Sequence, residues 1–399
     1  MKSGVRHVLL ICTAISILAC QATAIIPTPT NSLLTSTLVP ATETSTAIPV
    51  PTDTATITPT ATIPPVVNEL PGSTLPAGFS LIKFADVYRP TAFAFDVQGN
   101  LFVTSTDGKI YRLTDINGDG RVDSQTIFAA GYYLPLGITM RSSTGDIYVS
   151  DQGGITMLQD VNGDGVADTH KVIVDNLPTD LHQNDNLRFG LDDWLYMGLG
   201  STCDACAELN PKSGTILRFN VDTGENEIYA TGLRNPYDLA FDPLTGDLFA
   251  TDNGRDDLGM DAPLEELNQI VQGGNYGWPN CWTEQNQPGC ENTIPAVAHF
   301  EAHSSADGLD FYKGSAFPEE YHGNAFVSIF GSWLKPGVQT GIQRVVLNKV
   351  DDKYSGNSSW FVIFPEGVMP LPVLFGPDDA LYVGDYINSA IYRISYGIP

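Results

Sequence analysis

Positive charge is scarce in this chain of 399 residues, which carries 20 Lys and Arg against 46 Asp and Glu and a net charge of −26. Nucleic acid is therefore an unsuitable partner, because binding to phosphates needs a basic face. Helical periodicity is also scarce, and the apolar run from Val8 to Ala19 is too short to span a bilayer. What remains is an acidic chain dominated by short β-type segments.

The first residues have the composition of an export signal. Met1 to Arg6 carries positive charge, the apolar run follows, and Ile17-Leu18-Ala19-Cys20 ends it with small residues before a cysteine. This resembles a bacterial lipoprotein signal peptide over 1–20, in which Cys20 becomes the lipidated N-terminus. The alternative is a secretory signal cut after Ala22-Thr23-Ala24. Both predict export, and the first predicts a lipid anchor to the bacterial membrane that faces outside the cytoplasm.

A change of composition divides the rest of the chain. Residues 21–75 are dominated by Thr, Pro, Ala and Ser, which predicts a disordered linker because such a segment buries too little apolar surface to offset chain entropy. Residues 76–399 have the composition of a folded domain and are long enough for a substantial core.

Cysteine is limited to six residues, and four of them lie in the folded part: Cys203, Cys206, Cys281 and Cys290. An even number of cysteines in an exported protein favours disulfides over a metal or redox site. Pairing Cys203 with Cys206 and Cys281 with Cys290 closes short loops, so we predict these pairs over cross-pairing.

A pattern of two short strands joined by a turn with Gly or Asp recurs six times, as in DLAFDPLTGDLFAT and PVLFGPDDALYVG. The first strands begin near Phe93, Gly137, Leu187, Leu239, Leu309 and Val373. Recurrence at this period, with a third strand after most copies, predicts an all-β, six-bladed β-propeller. The chain ends one strand short, so we expect the segment from Phe79 to Phe84 to close the last blade from outside.

The propeller topology predicts which loops lie together. Segments that lead into the inner strands, and turns between second and third strands, share one face, called the channel face below. They converge on the central channel, where a small-molecule site would form. The sequence places the following residues there: Arg89, His182, Gln183, Arg234, Asn235, Asp252 to Arg255, His303 to Asp307, Ser332 to Lys335 and Asp385.

Two acidic loops share the pattern D-x-N-x-D-G-x-x-D. Their oxygen-bearing residues are Asp115, Asn117, Asp119 and Asp123 in one loop and Asp160, Asn162, Asp164 and Asp168 in the other. Oxygen ligands at alternate positions beside a glycine suit Ca²⁺, and both loops follow a third strand, so we predict structural calcium sites away from the channel face. The alternative is a pair of hairpin turns in which Asp and Asn bond their own backbone.

Four segments in order carry a family resemblance: HQNDNLRFGLDDWLYMGLGS, GLRNPYDLAFDPLTGDLFATDNG, ELNQIVQGGNYGWPN and HSSADGLDFYKGSAFPEEYHGNAFVSIFGSW. The body resembles the soluble glucose and sorbosone dehydrogenases, six-bladed propellers that use pyrroloquinoline quinone. The CDAC segment and the GSW turn are most similar to the sorbosone dehydrogenase branch. The resemblance implies that a sugar transfers a hydride to the quinone and that an external electron acceptor then takes the electrons.

The resemblance also implies roles for individual residues. His182 matches the general base, a role that suits an imidazole. Arg234 matches the arginine that stabilises negative charge on the reduced quinone. Gln183, Asn235, Arg255 and Lys335 are the matching candidates for cofactor contacts. The backbone at Gly254 matches a carbonyl ligand of the Ca²⁺ that polarises the quinone.

Two positions depart from the family pattern. Relatives place an arginine before the last blade, where this chain reads Met369-Pro370-Leu371-Pro372, and relatives of the sorbosone type follow GSW with Asn-Arg, where this chain has Leu334-Lys335.

Two other functions remain open. One is a non-catalytic propeller that binds a glycan or a protein on the channel face. The other is a metal-dependent lactone hydrolase with ligands such as Asp252, Asn253 and Asp385.

Overall fold

A computed structural model of the protein describes residues 66–283 and 288–397. Regular structure in these ranges is β-strand apart from a short 3-10 helix, Glu319–Tyr321. The strands form six sheets of four or five strands each. In the part of the chain that the structure describes, no helix is long and apolar enough to cross a membrane.

One strand, β1 (Phe79–Asp86), precedes the first blade. Blade 1 comprises β2 (Pro90–Phe95), β3 (Leu101–Ser105), β4 (Lys109–Thr114) and β5 (Ser124–Ala130). Blade 2 comprises β6 (Gly137–Met140), β7 (Ile147–Asp151), β8 (Gly154–Gln159) and β9 (Thr169–Val174). Blade 3 comprises β10 (Asn184–Phe189), β11 (Leu195–Leu199), β12 (Thr215–Phe219) and β13 (Asn226–Thr231).

Blade 4 comprises β14 (Leu239–Phe241), β15 (Leu248–Asp252), β16 (Glu265–Ile270) and, after β17 (Gly274–Asn275), β18 (Ala298–Phe300). Strand β17 pairs in parallel with β13 and so adds a fifth strand to blade 3. Blade 5 comprises β19 (Ala306–Phe311), β20 (Ala325–Ile329), β21 (Gly341–Val350) and β22 (Lys353–Ile363). Blade 6 comprises β23 (Pro370–Phe375), β24 (Leu381–Asp385) and β25 (Ala390–Tyr396), with β1 as its outer strand.

The blades form a closed ring. The inner strands β2, β6, β10, β14, β19 and β23 contact one another in sequence, and β23 contacts β2. Because each blade is covered by a neighbour on both faces, its inner strands are apolar on both sides. Six clusters of buried apolar side chains result, one between each pair of adjacent blades. The predicted all-β, six-bladed β-propeller is confirmed, with its blades beginning near the predicted residues.

The N-terminal strand closes the ring as predicted. Strand β1 pairs antiparallel with β25, from Phe79 opposite Tyr396 to Asp86 opposite Ala390. The Phe79 ring is buried and has its centroid 4.7 Å from that of Phe317 and 5.0 Å from that of Phe361, both in blade 5. One segment therefore completes the sheet of blade 6 and fills the interface with blade 5.

The predicted signal peptide over 1–20, the lipidated Cys20 and most of the predicted linker lie outside the described residues. The described end of that linker contacts the propeller. Leu70 and Leu75 pack against the cluster between blades 5 and 6, and Thr74 forms a β-bridge with Ile363. Both predicted disulfides, Cys203–Cys206 and Cys281–Cys290, are present.

Candidate functional site on the channel face

A buried carboxylate, that of Asp252, fixes the Arg234-Asn235 turn. Asp252 accepts hydrogen bonds from the backbone amides of Arg234 at 3.1 Å and of Asn235 at 2.8 Å. Burial, with the nearby Glu266 carboxylate, raises the pKa of Asp252 to about 8. This side chain at the end of β15 therefore sets the conformation of the segment that leads into blade 4.

His182 lies on the neighbouring segment, which leads into blade 3. Its Nδ1 lies 3.1 Å from the Ser201 backbone oxygen, which can only accept a hydrogen bond, so Nδ1 carries the proton and Nε2 is the unprotonated nitrogen of the neutral ring. Burial, with the positive charge of Arg234 as the second cause, lowers the pKa of His182 to about 4. The imidazole is therefore neutral across the physiological pH range.

Close approach of blades 3 and 4 brings His182 and Asn235 together. A Cβ at Gly200 would lie within 3.0 Å of both the His182 Cβ and the Asn235 Oδ1. Ser201 accepts the backbone hydrogen bond of His182 and donates its own amide to the Arg234 oxygen at 2.7 Å. Glycine at position 200 is thus required by the packing of two predicted site residues.

Gln183 is buried and faces blade 2. Its side-chain amide donates a hydrogen bond to the Leu134 oxygen at 2.9 Å and thereby holds the adjacent channel-face loop. Leu134 has a positive φ of 48°. Gln183 therefore lies beside His182, as predicted, but its amide nitrogen already has a protein acceptor.

Two carboxylates hold the buried Arg234 guanidinium. Its Nη2 lies 2.8 Å from Asp204 Oδ1 and 3.0 Å from Asp256 Oδ2, and Nη1 donates to the Asn253 oxygen. Asp204 sits inside the Cys203–Cys206 loop, and Trp278 Nε1 donates to its backbone oxygen at 3.1 Å. Sequence reasoning missed Asp204 and Asp256. An acidic residue between paired cysteines was the available clue to the first.

Arg255 and Gly254 follow β15 on the same face. The Arg255 guanidinium binds Asp257 with both Nε and Nη2 at 2.6 Å and donates through Nη1 to the Pro279 oxygen. The Gly254 amide donates to the buried Glu265 carboxylate at 2.6 Å. The structure thus places Arg255 next to Arg234 but directs its charge to Asp257.

Lys335 lies in the β20–β21 turn of blade 5, beside loops of blade 4. Its Nζ is 3.0 Å from Glu301 and 3.4 Å from Asp261. It also lines a cavity of about 540 Å³ between the loops of blades 5 and 6, together with Ser332, Glu366 and Met369. Lys335 is therefore on the channel face, as predicted, with its charge paired to two carboxylates.

Blades 5 and 6 contribute an apolar cluster to the channel face, and it includes residues of the Met369 to Leu371 segment. Phe330 and Leu371 are buried with Tyr237 in one small cluster, against which Met369 and Tyr386 pack. Through Tyr237, this cluster joins the segment that carries Arg234 to blades 5 and 6.

Several buried polar atoms beside the channel have no hydrogen-bond partner among the described residues. They are Asp185 Oδ2, Tyr237 Oη, Asn253 Oδ1 and Ser304 Oγ. Burial, with the nearby carboxylates of Asp307 and Asp238, raises the pKa of Asp185 well above its usual value. Unpartnered buried polar groups are uncommon in folded proteins, so these atoms are candidate functional positions.

The three side chains considered for a hydrolytic metal have protein partners. Asp252 accepts the two backbone amides described above, Asn253 donates to Asp307 at 2.7 Å, and Asp385 accepts from Asn388 at 2.7 Å. In residues 66–283 and 288–397, the one group of three or more His, Cys, Asp or Glu with ligand atoms within 4.8 Å of one another is Cys203, Cys206 and Glu208. Both of its cysteines are disulfide-bonded.

The two acidic loops join β4 to β5 and β8 to β9, on the face opposite the channel face. In the first loop, Asp115 accepts from the amides of Gly118 and Gly120, and Asp123 accepts from those of Ile116 and Asn117. Asp160 and Asp168 repeat these contacts in the second loop. Side chains bonded to their own backbone fit the turn alternative. The carboxylates of each loop are not gathered within 4.8 Å of one another. A calcium site in each loop stays a prediction.

The fold and parts of the sequence are similar to those of known proteins. An uncharacterised protein of Borreliella burgdorferi is 24% identical over 81% of this chain and 90% of its own length. Quinoprotein glucose dehydrogenase B of Acinetobacter calcoaceticus is 38% identical over 25% of this chain and 26% of its own length.

Among solved structures, the holo form of the pyranose dehydrogenase PQQ domain from Coprinopsis cinerea superimposes with a TM-score of 0.72 at 15% identity, over 82% of this chain and 100% of that one. The predicted resemblance to the soluble quinone-dependent sugar dehydrogenases is thereby confirmed, while the sorbosone branch stays a prediction. The model of one family, described as a domain of unknown function (DUF7133), matches residues 72–394. The chain therefore belongs to this family.

Proposed function

We propose that the protein is an exported, membrane-tethered sugar dehydrogenase that depends on pyrroloquinoline quinone and uses His182 as its general base. One observation carries the proposal: His182 is a neutral imidazole at the channel mouth, with Nδ1 held by Ser201 and the acceptor Nε2 left for a substrate proton. The relatives named above, a quinoprotein and a PQQ domain, support the cofactor. The tether rests on the sequence of residues 1–20.

The residues of the site fit the cofactor unequally. The apolar cluster of Phe330, Leu371 and Tyr386 would give a flat ring system apolar contacts, chiefly through the half-buried Tyr386. Arg234 and Asn235 would give it polar contacts from the segment that leads into blade 4. Lys335 would approach a carboxylate of the cofactor only in competition with Glu301 and Asp261. The Gly254 carbonyl is the predicted ligand of the accompanying Ca²⁺. Bound quinone would supply the hydride acceptor.

The protein's own groups account for the proton and the charge. His182 Nε2 takes the hydroxyl proton of the sugar, so the carbinol carbon can release its hydrogen as hydride. The resulting imidazolium lies near Asp204, whose charge favours the protonated ring. The Arg234 guanidinium supplies positive charge beside the group that becomes negative. His182 and Arg234, which would carry these two roles, come from the neighbouring segments that lead into blades 3 and 4.

Reconstitution of the expressed chain with the quinone and Ca²⁺ tests the proposal. We expect a bound-cofactor absorbance spectrum and dye reduction with aldoses. His182→Gln should keep the spectrum and lower turnover by about 10²- to 10⁴-fold, the usual contribution of a general base. His170→Gln, on strand β9 outside the channel face, is the matched control and should leave turnover unchanged. If the reconstituted protein shows neither the bound-cofactor spectrum nor dye reduction, the proposed function is refuted.

A further inference from the structure

Exposed aromatic side chains are confined largely to the channel face. In the described ranges, the most exposed are Trp333 at 77%, Tyr133 at 70% and Tyr88 at 51%, and all three lie in channel-face connections, in blades 5, 2 and 1. On the opposite face, the exposed apolar side chains are aliphatic, such as Val97, Leu191 and Leu244. Large aromatic rings that stay exposed to solvent on one face, around a channel, indicate a binding surface.

Two of the exposed rings, Trp333 and Tyr88, are joined in one series of contacts by the buried Phe330, the half-buried Tyr386 and Arg89. Ring centroids lie 5.8 Å apart from Trp333 to Phe330 and again from Phe330 to Tyr386. The Arg89 guanidinium carbon then lies 5.4 Å from the Tyr386 ring and 5.6 Å from the Tyr88 ring. These five residues, the aromatic row, run across blades 5, 6 and 1. Trp333 in blade 5 and Tyr88 at the entry to blade 1 therefore offer two separate exposed rings on which sugar rings can stack.

Arg89 is a free cation in an acidic protein. The other two arginines of the channel face, Arg234 and Arg255, bind carboxylates, whereas no described carboxylate lies within 4.0 Å of the exposed Arg89 guanidinium. Its backbone has a positive φ of 36°, and its amide donates to Ser389 Oγ at 3.2 Å. The fixed backbone and the flanking rings hold the charge in place, where it can meet an anionic group of a ligand.

We propose that the aromatic row binds an oligosaccharide that carries isolated carboxylates. The apolar C–H faces of pyranose rings stack on exposed indole and phenol rings, and a guanidinium pairs with a planar carboxylate through two hydrogen bonds. The net charge of −26 repels densely charged polyanions, so uronates separated by neutral sugars fit better. A cavity of about 540 Å³, lined by Gly331 and Ser332, adjoins the row and gives room for a branch. This binding requires no cofactor. The row shares Phe330 and Tyr386 with the cluster proposed to contact the quinone, whereas Trp333, Tyr88 and Arg89 lie outside that cluster and are the positions at which the two proposals can be separated.

Calorimetry on the full chain without cofactor tests this proposal. The probes are glucuronate-bearing xylo-oligosaccharides of four to six sugars, unsubstituted xylo-oligosaccharides of the same length, and heparin. We expect saturable binding of both xylo-oligosaccharides, with the glucuronate form bound about tenfold more tightly because of the charge-assisted hydrogen bonds. Dehydrogenase turnover plays no part in this measurement, so either proposal can fail while the other holds.

Variants separate stacking from charge. Trp333→Ala should weaken both xylo-oligosaccharides about tenfold or more, and Arg89→Gln should remove only the preference for the glucuronate form. Trp360→Ala, a partly exposed tryptophan on the outer strand β22, and Lys353→Gln, at the start of that strand, are the matched controls and should change neither affinity. The proposal is overturned if neither xylo-oligosaccharide binds, if only heparin binds, or if Trp333→Ala and Trp360→Ala behave alike.

Discussion

Titration of His182 by nuclear magnetic resonance tests the central feature of the site without requiring turnover. With a pKa of about 4, this ring is about 97% neutral at pH 5.5, whereas a histidine at the ordinary value of 6.5 would be about 9% neutral. Side-chain ¹⁵N shifts across pH 3 to 8 should therefore show His182 titrating well below the ordinary range, with the proton of the neutral ring on Nδ1.

Removing the nearby positive charge should move this pKa in a known direction. Burial is the main cause of the low pKa, and Arg234 is the second cause, while Asp204 acts the other way. Arg234→Met therefore raises the pKa, because the cation is lost and Asp204 is no longer paired. Arg255→Met is the control, since Asp257 neutralises that guanidinium, and it should leave the His182 pKa unchanged. Equal shifts in the two variants would refute the electrostatic argument, and so would a pKa near 6.5 in the native protein.

The same shift predicts how His182 affects stability. Its pKa is lower in the folded state than in the unfolded state, so protonation favours unfolding. The contribution is fully present above about pH 6.5 and is lost as the pH falls from 6.5 towards 4. His182→Gln should therefore flatten the decline of the unfolding free energy in this interval, as measured by urea denaturation.

Three further changes have expected outcomes. Phe79→Ala should lower the free energy of unfolding by about 3–5 kcal/mol in urea denaturation, because it empties a buried aromatic site that joins blades 5 and 6; an unchanged midpoint would contradict the role of β1 in closing the ring. Gly200→Ala should lower the free energy of unfolding by about 1–3 kcal/mol and alter the His182 resonance, because the added Cβ collides with His182. Gly224→Ala is the comparison variant, because its added Cβ meets no atom within 4 Å and only the positive φ is strained. If the acidic loops bind calcium, millimolar Ca²⁺ should raise the melting temperature, and Asp123→Asn should reduce the rise; no rise with Ca²⁺ would favour simple turns.

The fold followed from local sequence patterns because each blade repeats one hydrogen-bonded unit. Alternation of apolar residues and turn glycines located the inner strands, and the missing last strand identified the segment around Phe79 as the closing one. The spacing of the cysteines also favoured the observed pairs, since Cys203 and Cys206 lie only three residues apart. These features depend on neighbours in sequence or on the repeat itself.

The partners of the charged site residues could not be predicted in the same way. Arg234 meets Asp204, 30 residues earlier, and Asp256, 22 residues later, only because ring closure brings three loops to one place. Arg255 follows β15 immediately, yet its guanidinium turns to Asp257 rather than to the channel. A motif specifies which residue stands on the channel face, whereas the direction of its side chain depends on carboxylates from other segments.

The two carboxylates that pair with Arg234 determine how well this part of the site can bind an anionic ligand. Its two carboxylates differ: the Asp204 side chain is 32% exposed and lies in the disulfide loop, whereas that of Asp256 is 55% exposed. An incoming anion would therefore displace Asp256, because the more exposed carboxylate regains water at lower cost, while Asp204 keeps the guanidinium oriented. His303 Nδ1 lies 3.4 Å from the other carboxylate oxygen of Asp256, so Asp256 has a second neighbour that Asp204 lacks. With Asp256 displaced, Arg234 and Asp204 would form a neutral pair in place of a cluster of one guanidinium and two carboxylates, so this group would no longer repel the bound anion.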